Sequence, residues 1–171
     1  MNLYIIRHAI AVDSGTPGYE EDSQRPLTEK GRARMTNIAR GLKALDIKPD
    51  LIITSPYLRA VETSQILLKH FKMKKKQLAV SENLTPMALP AQLLGEINEN
   101  YSTFGNIAIV GHEPNLSGTI SMLLTGNALL SIEMKKGGVC CLYADDLLQE
   151  HRATLEWMMM PKHLIALGDI E

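Results

Sequence analysis

Cysteine is scarce in this chain, and its two copies are adjacent, at Cys140 and Cys141. Neighbouring residues of a strand point to opposite faces, so these two thiols are poorly placed to bond to each other. Two adjacent cysteines match neither a disulfide framework nor the spaced ligands of a structural zinc site. We expect both to be small apolar residues of the core in a reduced, cytoplasmic protein.

The chain also lacks an excess of charge and a long apolar run. Its 18 Lys and Arg residues nearly balance 19 Asp and Glu residues, for a net charge of -1, which does not favour general nucleic-acid binding. The one basic cluster, residues 72–76, is interpreted as a solvated loop. No apolar stretch of ~20 residues is present, and Arg7-His8 interrupts the first apolar run too early for a signal peptide. We therefore predict no nucleic-acid partner and no membrane segment.

Strand-like and helical patterns alternate along the 171 residues, a length that suits one domain over residues 1–171. The sequence predicts strands at residues 3–6, 51–53, 78–80, 107–110, 139–143 and 154–158. It predicts helices after Thr28, from Ser55-Pro56 to about His70, around Leu93 to Ile97, and over Pro114 to Leu124. This alternation indicates an α/β fold with a largely parallel sheet covered on both faces.

Cationic side chains follow three of the predicted strands. Arg7 and His8 end the first strand, and His112 follows the strand at 107–110. Arg59 lies early in the helix after the second strand, where Ser55-Pro56 reads as a cap and the first helical residue. The carboxyl ends of such strands form the ligand crevice of an open sheet. Because these groups would repel one another without an anion, and arginine binds phosphate with a planar fork, we predict a phosphate site.

The residues of this predicted site disfavour the usual phosphate chemistries. The sequence has no carboxylate cluster for Mg²⁺, no glycine-rich phosphate loop with lysine, and no cysteine followed by a phosphate-cradling loop and arginine. A metal held by His8 and His112 is disfavoured because no ligating carboxylate pattern accompanies them. We therefore expect no metal and no cofactor, and a neutral His8 that attacks phosphorus to form a phosphohistidine.

The other cationic residues are expected to bind the phosphoryl group. Arg7 and Arg59 are expected to hold the equatorial oxygens of the transferred group and to lower the pKa of His8 in the empty site. His112 is interpreted as a hydrogen-bond donor to phosphate. Arg25, just before the first helix, would add a guanidinium at the rim of the site.

A long polar loop, residues 9–24, separates the first strand from Arg25. Loops of this length in compact domains are usually functional or mobile. Its acidic residues would lie near the cationic pocket; they are Asp13, Glu20, Glu21 and Asp22. Two interpretations stay open, namely that they serve solubility or that they form a lid or rim that selects substrates.

Three ordered motifs resemble those of the histidine phosphatase superfamily, the phosphoglycerate mutase-like proteins. They are Arg7-His8-Ala9, the segment Ser55 to Thr63 and the segment Val110 to Pro114. Within the superfamily, Arg25-Pro26-Leu27-Thr28 and the end of the chain are most similar to SixA-type phosphohistidine phosphatases. The resemblance implies a three-layer α/β/α sandwich, His8 as the nucleophile, and phosphate binding by Arg7, Arg59, His112 and Arg25.

The chain departs from the family pattern at two places. Ala9 stands where the family usually has glycine, so the backbone there must accept a Cβ atom. Larger relatives have an acidic general acid after the third strand, where Glu82 is the candidate in this chain. Glu113, directly after His112, is the other candidate, because it resembles the His-Asp pair of acid phosphatase relatives. Either residue could equally be a surface or capping residue.

A weak or missing general acid restricts which leaving groups the site can expel. An alkyl ester expels a poor leaving group that needs a proton, whereas the P–N bond to imidazole is labile and its leaving group is easily protonated by solvent. The leading hypothesis is therefore a phosphatase for phosphohistidine proteins, such as histidine phosphotransfer domains of signalling systems. The alternatives are a small-molecule phosphomonoesterase of the same fold and a phosphate-binding module without turnover.

Overall fold

The structure is a computed structural model that describes residues 1–145 and 147–169. The strands are β1 (Asn2–Arg7), β2 (Leu51–Thr54), β3 (Leu78–Val80), β4 (Asn106–Gly111), β5 (Val139–Ala144) and β6 (Ala153–Met159). The helices are α1 (Glu29–Ala44), α2 (Leu58–His70), α3 (Pro90–Tyr101), α4 (Asn115–Thr125) and α5 (Pro161–Gly168). Every predicted strand is present, with ends that agree to within one residue, but α5 was not predicted.

One mixed sheet carries all six strands in the order β3-β2-β4-β1-β5-β6. The strands β1 to β4 pair in parallel, β5 is antiparallel to β1, and β6 is antiparallel to β5. Five strands therefore point one way and only β5 is reversed, which confirms the predicted mostly parallel sheet. The carboxyl ends of the neighbours β2, β4 and β1 meet at one edge of the sheet.

Two apolar cores cover the two faces of this sheet, as the period of two along a strand requires. One core packs α3 and α4 on Leu3, Ile5, Ile53 and Ile109, and the other packs α1, α2 and α5 on Tyr4, Ile6, Ile52 and Val110. This is the predicted α/β/α sandwich. Cys140 and Cys141 are buried, free thiols in opposite cores, which confirms their predicted role.

Helix α1 begins as its sequence predicts. The Thr28 side chain accepts a hydrogen bond from the backbone N–H of Gly31 at 2.9 Å, and Glu29 is favourable in the first turn. Its buried face includes Met35, Ile38 and Leu42. No helix within the described residues has the length and apolar character needed to cross a membrane.

The start of α2 corrects one prediction. The helix begins at Leu58 after Tyr57, so Pro56 is not its first residue and Ser55 is not its cap. The Ser55 hydroxyl accepts from the backbone N–H of Tyr57 at 3.3 Å and bonds to the His112 ring at 2.9 Å. Ser55-Pro56 thus forms the turn after β2, because the hydroxyl is committed to the neighbouring strand end.

A segment before β5 closes over the end of β1. The backbone N–H of Gly137 donates to the carbonyl oxygens of Arg7 at 3.0 Å and His8 at 3.2 Å, and Arg7 N–H donates to Gly138 at 3.1 Å. Gly137 has a φ of 82°, a conformation that glycine adopts without strain. This turn fixes the backbone on which Arg7 and His8 stand.

Candidate active site

His8 stands at the end of β1 in a defined tautomer. Its ring is buried, and Nδ1 lies 2.7 Å from the backbone oxygen of Ala9. A carbonyl oxygen only accepts, so Nδ1 carries the ring proton and donates it. Nε2 is therefore unprotonated and accepts a hydrogen bond from Arg59 Nε at 3.3 Å. The lone pair of Nε2 is thus held beside a guanidinium.

Burial and neighbouring positive charge keep both imidazoles of the site neutral. Removal from water is the main effect that lowers the pKa of His8 to about 2, and His112, Arg59 and Arg7 act in the same direction. The hydrogen bond to Ala9 opposes them. Burial, followed by Arg59, lowers the pKa of His112 to about 3. The two arginines lower the pKa of His8, as predicted from the sequence, but removal of the ring from water lowers it more.

His112 follows β4 and lies against His8. The centroids of these two rings are 4.9 Å apart, and the Tyr57 ring also packs edge-to-face with His112, at a centroid distance of 5.0 Å. Nε2 of His112 bonds to the Ser55 hydroxyl, whereas its buried Nδ1 has no partner within the described residues. Because the Ser55 hydroxyl already accepts from the backbone, donating its own proton to Nε2 satisfies both the hydroxyl and Nε2, and this tautomer leaves the ring proton on Nδ1. That N–H is free to donate to an anion.

Arg59 projects from the first turn of α2 and is 3% exposed. Its guanidinium lies over the Tyr57 ring at 5.0 Å. Thr63, one turn later, donates to the Arg59 carbonyl at 2.7 Å and accepts from the backbone N–H of Ala9 at 3.1 Å. Thr63 therefore fixes α2 against the end of β1, and the Cβ atom of buried Ala9 fits this junction.

Glu62 fixes the segment that carries Arg25. One carboxylate oxygen accepts from the backbone N–H of Leu27 at 2.6 Å, and the other pairs with Arg32 of α1 at 2.6 Å. The Glu62 side chain is largely buried in this arrangement. It ties α2 to the chain just before α1 and so places Arg25 at the rim.

Asp22, an acidic residue of the 9–24 loop, forms ion pairs with the two guanidinium groups at the rim. Asp22 Oδ1 accepts from Arg25 at 2.8 Å and 2.5 Å, and Oδ2 accepts from Arg59 Nη2 at 2.9 Å. The Asp22 carbonyl also accepts from Arg59 Nη1 at 2.6 Å. Burial raises the pKa of the Asp22 carboxyl, but the two arginines outweigh this effect and lower it. This loop therefore contributes a carboxylate to the rim of the site, whereas selection of substrates by the loop stays a prediction.

Arg7 takes a different direction from the other predicted phosphate ligands. Its Nη1 donates to the backbone oxygen of Met134 at 2.6 Å, and its buried Nε has no partner within the described residues. Its side chain lines a neighbouring cavity. Arg7 thus stands beside His8 along the backbone while its guanidinium reaches the segment that closes over β1.

The two candidate general acids lie outside this group of contacts. Glu82 opens a short 3₁₀ turn and is exposed. Glu113 accepts from Ser117 Oγ at 2.5 Å within the start of α4. Among the described residues, neither carboxylate hydrogen-bonds to the predicted phosphate ligands, and the carboxylate that does so belongs to Asp22.

The arrangement fits an anion better than a metal ion. The described part of the chain holds no group of three or more His, Cys, Asp or Glu side chains placed to bind a metal. It does bring together an unprotonated imidazole nitrogen, two paired guanidinium groups and a free imidazole N–H. These groups suit a phosphoryl group, because guanidinium and N–H donors match its oxygens and Nε2 can approach its phosphorus.

Several residues of the site were not singled out from the sequence. Asp22 was one of four acidic loop residues, and no periodicity distinguishes it from the others. Ser55 and Thr63 lie in a motif that the resemblance already covered, yet their contacts join segments distant in sequence. The only signal in the sequence was that both residues follow β2, in the same segment as Arg59.

Comparisons with known proteins agree with this architecture. The family model of the histidine phosphatase superfamily (branch 1) matches residues 3–89. An uncharacterized protein from Picosynechococcus sp. is 32% identical over 140 residues, which are 81% of this chain and 82% of that protein.

Solved structures share the whole fold at lower identity. The protein histidine phosphatase SixA, solved with tungstate, superimposes with a TM-score of 0.83 at 21% identity, over 96% of this chain and 99% of that one. A putative α-ribazole-5′-P phosphatase from Escherichia coli has a TM-score of 0.73 at 17% identity, over 94% of this chain and 97% of that one. These similarities establish the fold, and its members include proteins named for protein and for small-molecule substrates.

Proposed function

Because this chain belongs to the histidine phosphatase superfamily (branch 1), we propose that it removes phosphoryl groups through a covalent intermediate on His8. The observation that carries the proposal is the tautomer of His8. Its Nδ1 proton is committed to Ala9, so Nε2 presents a lone pair without needing a general base. Its low pKa keeps that lone pair available at neutral pH.

The reaction proceeds in two balanced displacements. Nε2 of His8 forms a bond to phosphorus while the bond to the leaving group breaks and takes its electron pair to that group. Water then attacks phosphorus, the P–Nε2 bond breaks, and the electron pair returns to Nε2 as inorganic phosphate leaves. The Ala9 carbonyl stabilises the positive charge that the ring acquires in the intermediate.

The surrounding donors stabilise the charge on the transferred group. Arg59 lies against Nε2, and Nδ1–H of His112 has no partner in the part of the chain that the structure describes, so both groups can bind the equatorial oxygens. Arg25 adds a further guanidinium at the rim, whereas the Arg7 guanidinium donates to the backbone oxygen of Met134 beside the neighbouring cavity. For Arg59 and Arg25 to bind phosphate fully, Asp22 must give up part of its contacts with them.

A phosphohistidine protein is the substrate that this site supports best. Within the described residues, neither Glu82 nor Glu113 hydrogen-bonds to the groups around His8, so we expect the leaving group to receive its proton from solvent. Imidazole leaving from a P–N bond tolerates this, whereas an alkoxide does not. The proposed partner is a histidine phosphotransfer domain of a cytoplasmic signalling system, and SixA-like proteins of this fold are consistent with it.

A small-molecule phosphomonoesterase is the second candidate. The fold is shared with a putative α-ribazole-5′-P phosphatase, and Asp22 places one carboxyl group at the rim of the site. If phosphate displaced the arginines from Asp22, the pKa of that carboxyl would rise and it could protonate an ester oxygen. A binding module without turnover would not need the unprotonated Nε2.

The test is loss of phosphate from a phosphorylated histidine phosphotransfer domain, with chelator present, compared with a matched alkyl phosphate. The wild type is expected to release phosphate, and His8→Ala is expected to release none. The control is His163→Ala, which removes an exposed histidine of α5. Equal rates on the alkyl ester would favour the small-molecule candidate, and no release from any substrate would contradict the proposed function.

A further inference from the structure

A cavity of about 540 Å³ is lined in part by Arg7, the residue that directly precedes His8. Its walls come from parts of the chain that are far apart in sequence. Arg34 contributes from α1, Lys136 from the turn before β5, and Lys162 from the first turn of α5. The tertiary fold, rather than a local run of basic residues, therefore brings these cations together.

The cavity has a strong excess of positive charge. Five of its lining residues are cationic, and the one acidic residue, Glu133, pairs with Lys135. Four positive charges remain without an opposite charge among the lining residues, in a chain whose net charge is -1. Such a concentration of one sign in a concave surface attracts anions.

Two of these cations have unsatisfied hydrogen-bond donors. The Nε atoms of Arg7 and Arg34 are buried and have no hydrogen-bond partner in the described residues. A buried donor without a partner carries a cost that a bound acceptor would remove. A solvated basic face does not explain this, since its donors would be exposed to water. The first turn of α5 also lines the cavity and adds the positive end of its dipole.

We propose that this cavity binds a second anionic group, a carboxylate or a phosphate, of the molecule whose phosphoryl group His8 attacks. The inference rests on the proposed function and specifies its substrate class further. Arg7 connects the two sites, because its backbone adjoins His8 while its guanidinium lines the cavity. The second anion comes either from an acidic side chain beside a phosphohistidine or from a second acidic group on a small phosphate ester.

The first experiment compares two probes that differ only in the second anion, phenyl phosphate and 4-carboxyphenyl phosphate. The wild type is expected to have a lower KM for the carboxylate-bearing probe. The double variant Arg34→Gln/Lys162→Gln removes two cations of the cavity. It is expected to raise the KM for 4-carboxyphenyl phosphate about tenfold, because losing a hydrogen bond to a charged group weakens binding by about this factor. Its KM for phenyl phosphate is expected to stay within about twofold of the wild type.

The matched control is Arg40→Gln/Lys43→Gln. Both residues are exposed on α1 and neither lines the cavity, so the same charge is removed from the same helix. This control is expected to keep the preference for the carboxylate-bearing probe. Raising the salt concentration is expected to reduce the preference in the wild type, because screening weakens exposed charge interactions.

A second arm distinguishes the two sources of the anion. Phosphohistidine peptides with Glu residues beside the phosphohistidine are compared with the same peptides carrying Gln. A preference for Glu that Arg34→Gln/Lys162→Gln abolishes identifies a protein substrate, and a preference confined to 4-carboxyphenyl phosphate identifies a small molecule. Either result supports the inference.

The inference and the proposed function fail in different ways. Turnover that depends on His8 but shows no preference for a second anion in either arm would overturn the inference alone. A preference that the cavity variant leaves unchanged would overturn it as well. Absence of any turnover would contradict the proposed function, and calorimetric binding of 4-carboxyphenylphosphonate against phenylphosphonate would then decide on the cavity.

Discussion

At the scale of single residues, hydrogen-bond partners divide the roles of two similar imidazoles. His8 donates through Nδ1 to a carbonyl and keeps Nε2 for attack. His112 receives at Nε2 from Ser55 and keeps Nδ1–H for donation. The sequence could identify both histidines at strand ends, but it could not assign their tautomers, because the partners come from Ala9 and from a distant strand.

Arg59 is expected to stabilise the transition state more than it stabilises the bound substrate. Arg59→Gln keeps much of the aliphatic stem but removes the guanidinium beside Nε2 of His8. We predict a fall in kcat of about 100-fold or more, the typical effect of losing one donor aimed at developing charge. Steady-state kinetics on phosphohistidine peptide checks this, with Arg40→Gln as the control. A change confined to KM would show that Arg59 acts only in binding.

Asp22 is expected to compete with phosphate for Arg25 and Arg59. Asp22→Asn removes the negative charge while keeping the size of the side chain, so both arginines become more available to an anion. We predict a lower inhibition constant for inorganic phosphate in the variant, by about tenfold. Glu21→Gln, an exposed neighbour, is the control. Weaker inhibition in Asp22→Asn would mean that Asp22 positions the arginines instead.

At the scale of elements, three neighbouring strand ends and the start of α2 assemble the site. Their positions were predictable, because apolar runs and the residues that follow them are local sequence signals. The start of α2 was wrongly predicted at Ser55-Pro56, because the hydroxyl bonds across to His112 rather than capping the helix. The rim contact of Asp22 depends on the path of the 9–24 loop, for which the sequence has no periodic signal.

Thr63 is expected to couple α2 to the end of β1. Thr63→Val keeps the shape but removes the acceptor for the Ala9 N–H, which would then be buried without a partner. We predict a loss of about 1–3 kcal/mol in the free energy of unfolding and a lower kcat, because Arg59 and His8 lose their fixed relation. Chemical denaturation and kinetics measure the two effects. Unchanged stability and activity would contradict this role.

At the scale of the whole molecule, the alternation of strand and helix patterns was enough to predict a mostly parallel sheet covered on both faces. The three-layer sandwich was implied by the family resemblance, and the adjacency of the two cysteines predicted that they point to opposite faces. What escaped prediction depends on contacts between distant parts. Helix α5 packs on α1, and together with Arg7 and the turn before β5 they enclose the basic cavity. None of its cations is distinctive in its own segment, so only the folded chain shows their convergence.

The two buried imidazoles are expected to make folding stability depend on pH. Their pKa values are about 2 and 3 in the folded chain against an ordinary 6.5, so below pH 6.5 the unfolded state binds more protons. Stability is therefore complete above pH 6.5 and falls as the pH drops toward 3, by up to about 1.4 kcal/mol per pH unit for each histidine. Denaturation in phosphate-free buffer at several pH values measures this slope.

The control for this pH dependence compares slopes rather than absolute stabilities. His8→Asn and His112→Asn each remove one buried titrating group and are expected to flatten the slope below pH 6.5. His163→Ala is expected to leave it unchanged. Identical slopes in all four proteins would contradict the assignment of the two neutral imidazoles.

His8 is proposed to accept the phosphoryl group covalently on one ring nitrogen, and trapping this phosphorylated intermediate is the decisive measurement. A ³²P-labelled phosphohistidine substrate is mixed with the enzyme and quenched at millisecond times under alkaline conditions. Mass spectrometry then locates the label, and ³¹P NMR distinguishes the two ring nitrogens. We predict label on Nε2 of His8, none in His8→Ala, and decay at the rate of turnover. Turnover without labelled His8, or label on Nδ1 or on His112, would contradict attack by Nε2 of His8.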